Sequence, residues 1–336
     1  MPPRFYGGTE RVVSYITEEL VRRGHDVTLF ASGDSRTAAR LVAVCESAVR
    51  VTTENREVLA TALSRELARV FRHAGDFDVI HCHVDYLAYP FVSLVRTPTL
   101  HTVHGRLDLP HLVPVYREFR DVPLVSISNA QRAPLAELDL TWAGTVYHGL
   151  PLERFPFVAA RGEYLAFLGR LAAEKQPQVA IEVARRVGLP LRIAAKVDAN
   201  DREFVERFVT PLLDDPLVEF IGEVNDDDKA SFLGGARALL FPIDWPEPFG
   251  LVMIEAMACG TPVIARPCGS VPEILADGRT GFLGDSVDDL VGAVERLDTI
   301  DRAECRRHVE RRFSIGRMVD DYEALYRRAV SQRKAA

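Results

Sequence analysis

Lysine is scarce in this chain. Only Lys175, Lys196, Lys229 and Lys334 occur among 41 basic residues, the rest being arginine. That bias fits a GC-rich genome, and it gives each retained lysine weight as a candidate ligand. Long apolar runs are missing too. None approaches the roughly 18 residues that a membrane-spanning helix needs, and the opening Met1-Pro2-Pro3-Arg4-Phe5 lacks the apolar core of a secretory signal. A cytoplasmic location is therefore the expectation. Positive charge is not in excess: the formal net charge is -7, which argues against nucleic acid as a partner. The five cysteines (Cys45, Cys82, Cys259, Cys268, Cys305) are odd in number and lack metal-site spacing, so neither a disulfide framework nor a zinc ribbon is expected. They read as reduced thiols packed in cores. Low-complexity segments and short-period repeats are also absent.

What is present is an alternation of short β-branched runs with longer amphipathic ones, the pattern of α/β units with parallel sheets. With 336 residues, 47% of them hydrophobic, the chain can fill two cores. Strands are expected at Asp26 to Ala31, Asp78 to Cys82, Pro98 to Val103, Leu124 to Ile127 and Thr145 to Tyr147. A second series follows at Tyr164 to Leu168, Leu191 to Ala195, Val218 to Ile221, Ala238 to Ile243 and Pro262 to Ala265. Val12, Val13, Ile16 and Leu20 define one face of a helix from Thr9 to Arg23, closed by Gly24. The expected organisation is two doubly wound units, residues 1–150 and 161–313. A proline- and phenylalanine-containing linker at 151–160 joins them, and a last helix at 314–331 could pack back on the first unit. One strand is conspicuously absent. Gly7-Gly8-Thr9 resembles the turn after a first strand, but only six residues precede it, two of them proline. The central strand of the first sheet is therefore expected to be missing from this sequence and to lie upstream.

The densest chemistry lies in Pro246-Glu247-Pro248-Phe249-Gly250-Leu251-Val252-Met253-Ile254-Glu255. A buried strand leads into a stiff loop that cannot continue it, and a helix then opens at Gly250. The amides of Gly250, Leu251 and Val252 would face the crevice at the strand's carboxyl end, where a helix start favours phosphate. Glu247 and Glu255 bracket that start. On spacing alone, an ordinary crossover with two solvated glutamates remains the alternative. Leu168-Gly169-Arg170-Leu171 and Lys175 follow the first strand of the second unit, where an open α/β sheet binds its ligand. A planar guanidinium and a point charge there suit a diphosphate, or else are solvated surface cations. Lys196 ends the next strand and could reach the same crevice or snorkel at the surface. Asp226-Asp227-Asp228 reads as a helix N-cap in preference to a metal cluster. Histidines gather in the first unit (His81, His83, His101, His104, His148), but no cysteine or carboxylate spacing completes a zinc site. His104, before Gly105 where a strand opens to the cleft, is the best single candidate for touching substrate.

Taken together, these residues resemble the retaining GT-B glycosyltransferases of family 4. The resemblance runs from Pro3 to about Tyr326. In the second unit it is carried by Phe167-Leu168-Gly169-Arg170-Leu171, Lys175, the Glu247 and Glu255 pair, Gly269-Ser270-Val271-Pro272-Glu273 and Asp277-Gly278-Arg279-Thr280-Gly281-Phe282. In the first, Gly7-Gly8, Asp78-Val79-Ile80-His81, Thr102-Val103-His104-Gly105 and Ser126-Ile127-Ser128 match. The resemblance implies a GT-B fold of two Rossmann-like domains facing across a cleft, with a nucleotide-diphosphate sugar, UDP- or GDP-linked, between them. It implies that Arg170 and Lys175 bind the diphosphate, helped by the amides of Gly250 and Leu251 and the Gly7-Gly8 loop. Glu255 would bind the ribose, Glu247 the sugar hydroxyls, and backbone from Ile221 through Gly222 to Val224 the base. His104 would face the transferred sugar, and Phe249 and Lys196 would complete the donor site. Neither a metal nor any other cofactor is implied. The acceptor (a saccharide, a lipid-linked or a small molecule) and peripheral contact with the inner face of a membrane stay open. Tyr147-His148-Gly149 departs from the family pattern, where many relatives carry asparagine before the glycine. A sugar-nucleotide epimerase on the same fold and a catalytically impaired nucleotide-sugar-binding protein are the competing readings.

Overall fold

A computed structural model describes residues 7–49 and 55–335. The stretch before Gly7, on which the expectation of a missing central strand bears, lies outside the described residues. The N-terminal half holds β1 (Thr28–Ser32), β2 (Arg40–Cys45), β3 (Ile80–Cys82), β4 (Thr99–Thr102), β5 (Leu124–Ser126) and β6 (Trp142–Thr145). The C-terminal half holds β7 (Tyr164–Arg170), β8 (Leu191–Lys196), β9 (Val218–Gly222), β10 (Ala236–Phe241), β11 (Val263–Ala265) and β12 (Gly281–Leu283). The described helices of useful length are α1 (Gly8–Arg22), α2 (Arg56–Arg72), α3 (Pro177–Val187), α4 (Asp226–Gly234), α5 (Leu251–Ala258), α6 (Val287–Glu295), α7 (Arg302–Arg312) and α8 (Ile315–Ala335).

Every pairing between these strands is parallel, as crossover helices require. The second sheet runs β12-β11-β10-β7-β8-β9, so its order reverses between β7 and β10. Ligands bind at such a switch point, outside the carboxyl ends of the strands. Its two central strands, β7 and β10, are legible as apolar runs because both faces are covered: Leu165, Ala166, Ala238 and Leu239 are fully buried.

The N-terminal half forms a β1-β2 pair and a separate β3-β4-β5-β6 sheet. Between β1 and β3 lies a cavity of about 2420 Å³, walled by residues of α1 and α2 and reaching Lys196, Glu223 and Asn225 of the other half. One expected strand needs correction, and two strands were not expected at all. β2 and β12 went unanticipated: the six-residue β2 follows a polar stretch and opens on Arg40, and β12 has only three residues and opens on Gly281. The expected strand at Thr145 to Tyr147 is displaced to Trp142–Thr145, because Thr145 pairs with Ser126 at the last rung and the chain then leaves the sheet. Of the cysteines, Cys82, Cys259 and Cys305 are buried, whereas Cys45 and Cys268 are only half-buried.

α8 returns to the N-terminal half. Arg23 donates to Asp320 (2.6 Å), Glu323 (3.1 Å) and the Gly316 carbonyl (2.8 Å), and Tyr326 meets His81 at 2.8 Å. Among the described residues no helix is long and apolar enough to cross a membrane.

Candidate functional site

The site assembles where β7 and β10 end side by side. Arg170, the last residue of β7, donates to Asp201 at 2.7 Å and pairs with Glu174. Lys175, at the end of the following helical turn, pairs with Glu247 from the loop after β10, and its ammonium lies 4.8 Å from the Trp245 ring centroid. That loop is fixed from two sides. The Asp244 amide donates to the Glu174 carbonyl at 2.8 Å, and the Ser270 amide to the Glu247 carbonyl at 2.9 Å. Gly269 makes the second contact possible: its φ is +58°, and a Cβ there would lie 2.5 Å from the backbone N and O of Glu247. α5 then starts at Leu251 with Gly250 as its cap at φ 81°. The opening amides of a helix have no partners within it and point outward.

Glu255, one turn into α5, is 4% exposed and accepts from Lys229 of α4 at 3.0 Å. Sequence reasoning missed Lys229 as a site residue, although the scarcity of lysine was the signal that could have found it. The three aspartates before it need correcting as well. The cap of α4 is Asn225, whose side chain accepts from the Asp227 and Asp228 amides at 2.8 and 3.0 Å. Asp226 instead pairs with Arg11 of α1 at 2.5 Å and with Lys229 at 3.5 Å. Among the described residues no group of three or more His, Cys, Asp or Glu side chains is arranged to hold a metal ion.

The other wall comes from the N-terminal half. Gly7 caps α1 and Gly8 begins it, and a Cβ on Gly8 would stand 3.5 Å from the Leu251 side chain. The starts of α1 and α5 therefore face each other across the cleft. His104 follows β4 and lies 2.9 Å from His83 through Nε2 and Nδ1, and its ring stacks on His148 at 5.4 Å. His148 in turn meets Phe249 edge-on at 4.7 Å. Burial pushes the His104 pKa down to about 4 and His83 and His148 well below their ordinary value, so these rings are neutral at pH 7. A neutral imidazole can accept or donate one hydrogen bond to a hydroxyl without bringing charge.

Not every expected residue converges. Phe249 is 2% exposed and packs behind the loop against His148 and Phe313, so its place is structural support. Lys196 sits one strand away from the switch point and pairs with Asp198 at 2.6 Å. Gly222 ends β9 and Val224 is half-buried beside the core, both at the outer end of the crevice. Sequence reasoning also gave no role to Trp245 or to Asn129 and Tyr147, which reach across the cleft.

Two family profiles cover most of the chain: the one described as Glycosyl transferases group 1 matches residues 153–311, and Glycosyltransferase Family 4 matches residues 6–138. The D-inositol 3-phosphate glycosyltransferase of Mycolicibacterium smegmatis is 27% identical over 398 aligned positions, spanning 98% of this chain and 88% of its own. The sucrose-phosphate synthase structure from Thermosynechococcus elongatus superposes with a TM-score of 0.78 at 22% identity, covering 97% of this chain and 94% of that one. Anabaena HepE in complex with UDP and glucose superposes with a TM-score of 0.73 at 16% identity, covering 96% of each chain. At these identities the likeness to the two structures is one of overall fold.

Proposed function

Because the chain belongs to the family 4 glycosyltransferases of group 1, we propose that it moves a sugar from a nucleotide-diphosphate sugar, UDP- or GDP-linked, to an acceptor hydroxyl with retention of configuration. One observation carries the reading: Lys175 and Glu247 are paired between two opposed helix starts. A diphosphate bound there takes over Lys175 and Arg170 and meets the amides of α1 and α5. Glu247 is thereby released to accept hydrogen bonds from the sugar. Glu255 holds the ribose hydroxyls, kept in place by Lys229, and the backbone from Ile221 to Val224 flanks the base. His104, neutral, binds a sugar hydroxyl.

The chemistry follows from this charge placement. The bond between the anomeric carbon and the phosphate oxygen breaks as the acceptor oxygen forms its bond on the same face. The acceptor's proton passes to the departing phosphate oxygen. Negative charge grows on the diphosphate in that step, and Lys175, Arg170 and the helix amides are already aimed at it. A metal is not required to supply that charge, so chelation should leave the rate unchanged.

The test is a panel of nucleotide-diphosphate sugars, scored by thermal shift and donor turnover and followed by NMR of the product anomer. Lys175→Met and Glu247→Gln should each cost about 10² to 10³ in turnover. Glu255→Gln should weaken donor binding by about tenfold or more while sparing the chemical step. A wild-type protein that neither binds nor turns over any member of the panel would sink the proposal.

A further inference from the structure

Glu273 has contacts that donor binding does not use. It lies on the helical turn Val271–Ile274 of the C-terminal half. Its carboxylate nevertheless accepts four hydrogen bonds from the N-terminal half. Oε1 takes the Ala130 amide at 2.6 Å. Oε2 takes the Asn129 amide at 2.9 Å, the Asn129 side-chain amide at 3.0 Å and the Tyr147 hydroxyl at 2.7 Å. Hydrogen bonds to an ionised acceptor are roughly twice as strong as neutral ones. Burial and the neighbouring carboxylate push the Tyr147 phenol up to about 12, so it stays protonated and donates.

Both ends of this bridge run directly into the candidate site. Behind Glu273, the Ser270 amide holds the Glu247 carbonyl at 2.9 Å, and the Ser270 hydroxyl donates to the Phe249 carbonyl at 2.9 Å. In front, Tyr147 is followed by His148, which lies between Phe249 and His104. The route from Glu247 to His104 through Ser270, Glu273 and Tyr147 is a chain of neighbours that crosses the cleft. We infer that Glu273 is a positioning residue: it sets the two halves so that the sugar held by Glu247 faces His104 and the acceptor. Reacting groups tolerate little misplacement, about 1 Å costing roughly 10² in rate. The donor diphosphate and ribose are bound mainly from the C-terminal half, so losing the bridge should leave donor binding intact while turnover falls.

The inference rests on the donor-site reading above, and its test separates the two. Glu273→Ala and Tyr147→Phe would be compared with wild type for transfer kinetics, nucleotide affinity, thermal stability and amide hydrogen exchange at Asn129 and Ala130. Glu273→Ala is expected to lower kcat about tenfold or more, with nucleotide Kd and donor KM within about twofold, and to speed exchange at both amides. Tyr147→Phe should fall between it and wild type, and Glu273→Gln should recover part of the loss by keeping one acceptor oxygen. An unchanged kcat, or a parallel loss of affinity and kcat, overturns the inference. A wild type inactive on every sugar nucleotide removes the functional reading instead. The exchange data then decide the bridge: protection lost in Glu273→Ala supports it, and unchanged protection overturns it.

Discussion

His101 carries two ring nitrogens with no hydrogen-bond partner and is 1% exposed, its ring set edge-on to Tyr89 at 5.2 Å. Burial pushes its pKa down to about 3, and those of His81 and His104 to about 3 and about 4. The sign follows from proton counting. Below the unfolded value of about 6.5 the unfolded chain takes up protons that the folded core refuses, so stability is full above that pH and drains as pH falls. Each such histidine contributes a slope of about 1.4 kcal/mol per pH unit in that window. His101→Phe keeps an aromatic ring against Tyr89 and removes one titrating group. Its melting temperature should fall less steeply than that of wild type between pH 7 and pH 5. Parallel curves for the two proteins would show that His101 does not contribute.

Among the elements, the loop after β10 is held less by its own side chains than by the turn at Gly269. Gly269→Ala would force a left-handed backbone costing about 1 kcal/mol and press a methyl against the Glu247 backbone, 2.5 Å away. Glu247 would then shift relative to Lys175. The expected outcome is a loss of about 100-fold in turnover with a stability change of only a few kcal/mol by chemical denaturation. A large stability loss at preserved turnover would contradict this account. The Gly269-Ser270 segment was legible as part of a family resemblance, but its grip on Glu247 was not, since no spacing rule links a turn to a loop two elements earlier. β7 and β10 could be read directly because burial on both faces leaves apolar runs at Tyr164 to Leu168 and Ala238 to Phe241, whereas in β8 the exposed Arg192 interrupts an otherwise buried Leu191 to Ala195. β12 could not, since Gly281-Phe282-Leu283 is a strand only through its pairing with β11. Lys175 stood out because lysine is rare, and the same argument applied to Lys229 would have found the partner of Glu255. The Asn129, Tyr147 and Glu273 cluster depends on how the two halves sit, which no local pattern encodes.

For the whole molecule, the second tie across the cleft is ionic. Arg11 in the first turn of α1 pairs with Asp226 at the start of α4, their side chains 5% and 17% exposed. Asp226 also has Lys229 and Arg154 at 3.5 Å, and Lys229 continues to Glu255. One carboxylate thus gathers three cations from three segments, and the two partners should not be equivalent when removed. Arg11→Met leaves Asp226 with Lys229 and Arg154, so the loss should stay below the roughly 3 kcal/mol of breaking a buried pair with no other partner. Asp226→Asn deprives all three cations of their shared acceptor at a nearly buried position, which should cost about 3 kcal/mol. It also leaves Lys229 leaning on Glu255 alone, so nucleotide affinity should change in Asp226→Asn more than in Arg11→Met. A double-mutant cycle by denaturant unfolding should give a coupling of about 1 to 3 kcal/mol between the two positions. Additive losses would mean that the pair does not hold the halves together, leaving the alignment of the cleft to Glu273 and to α8.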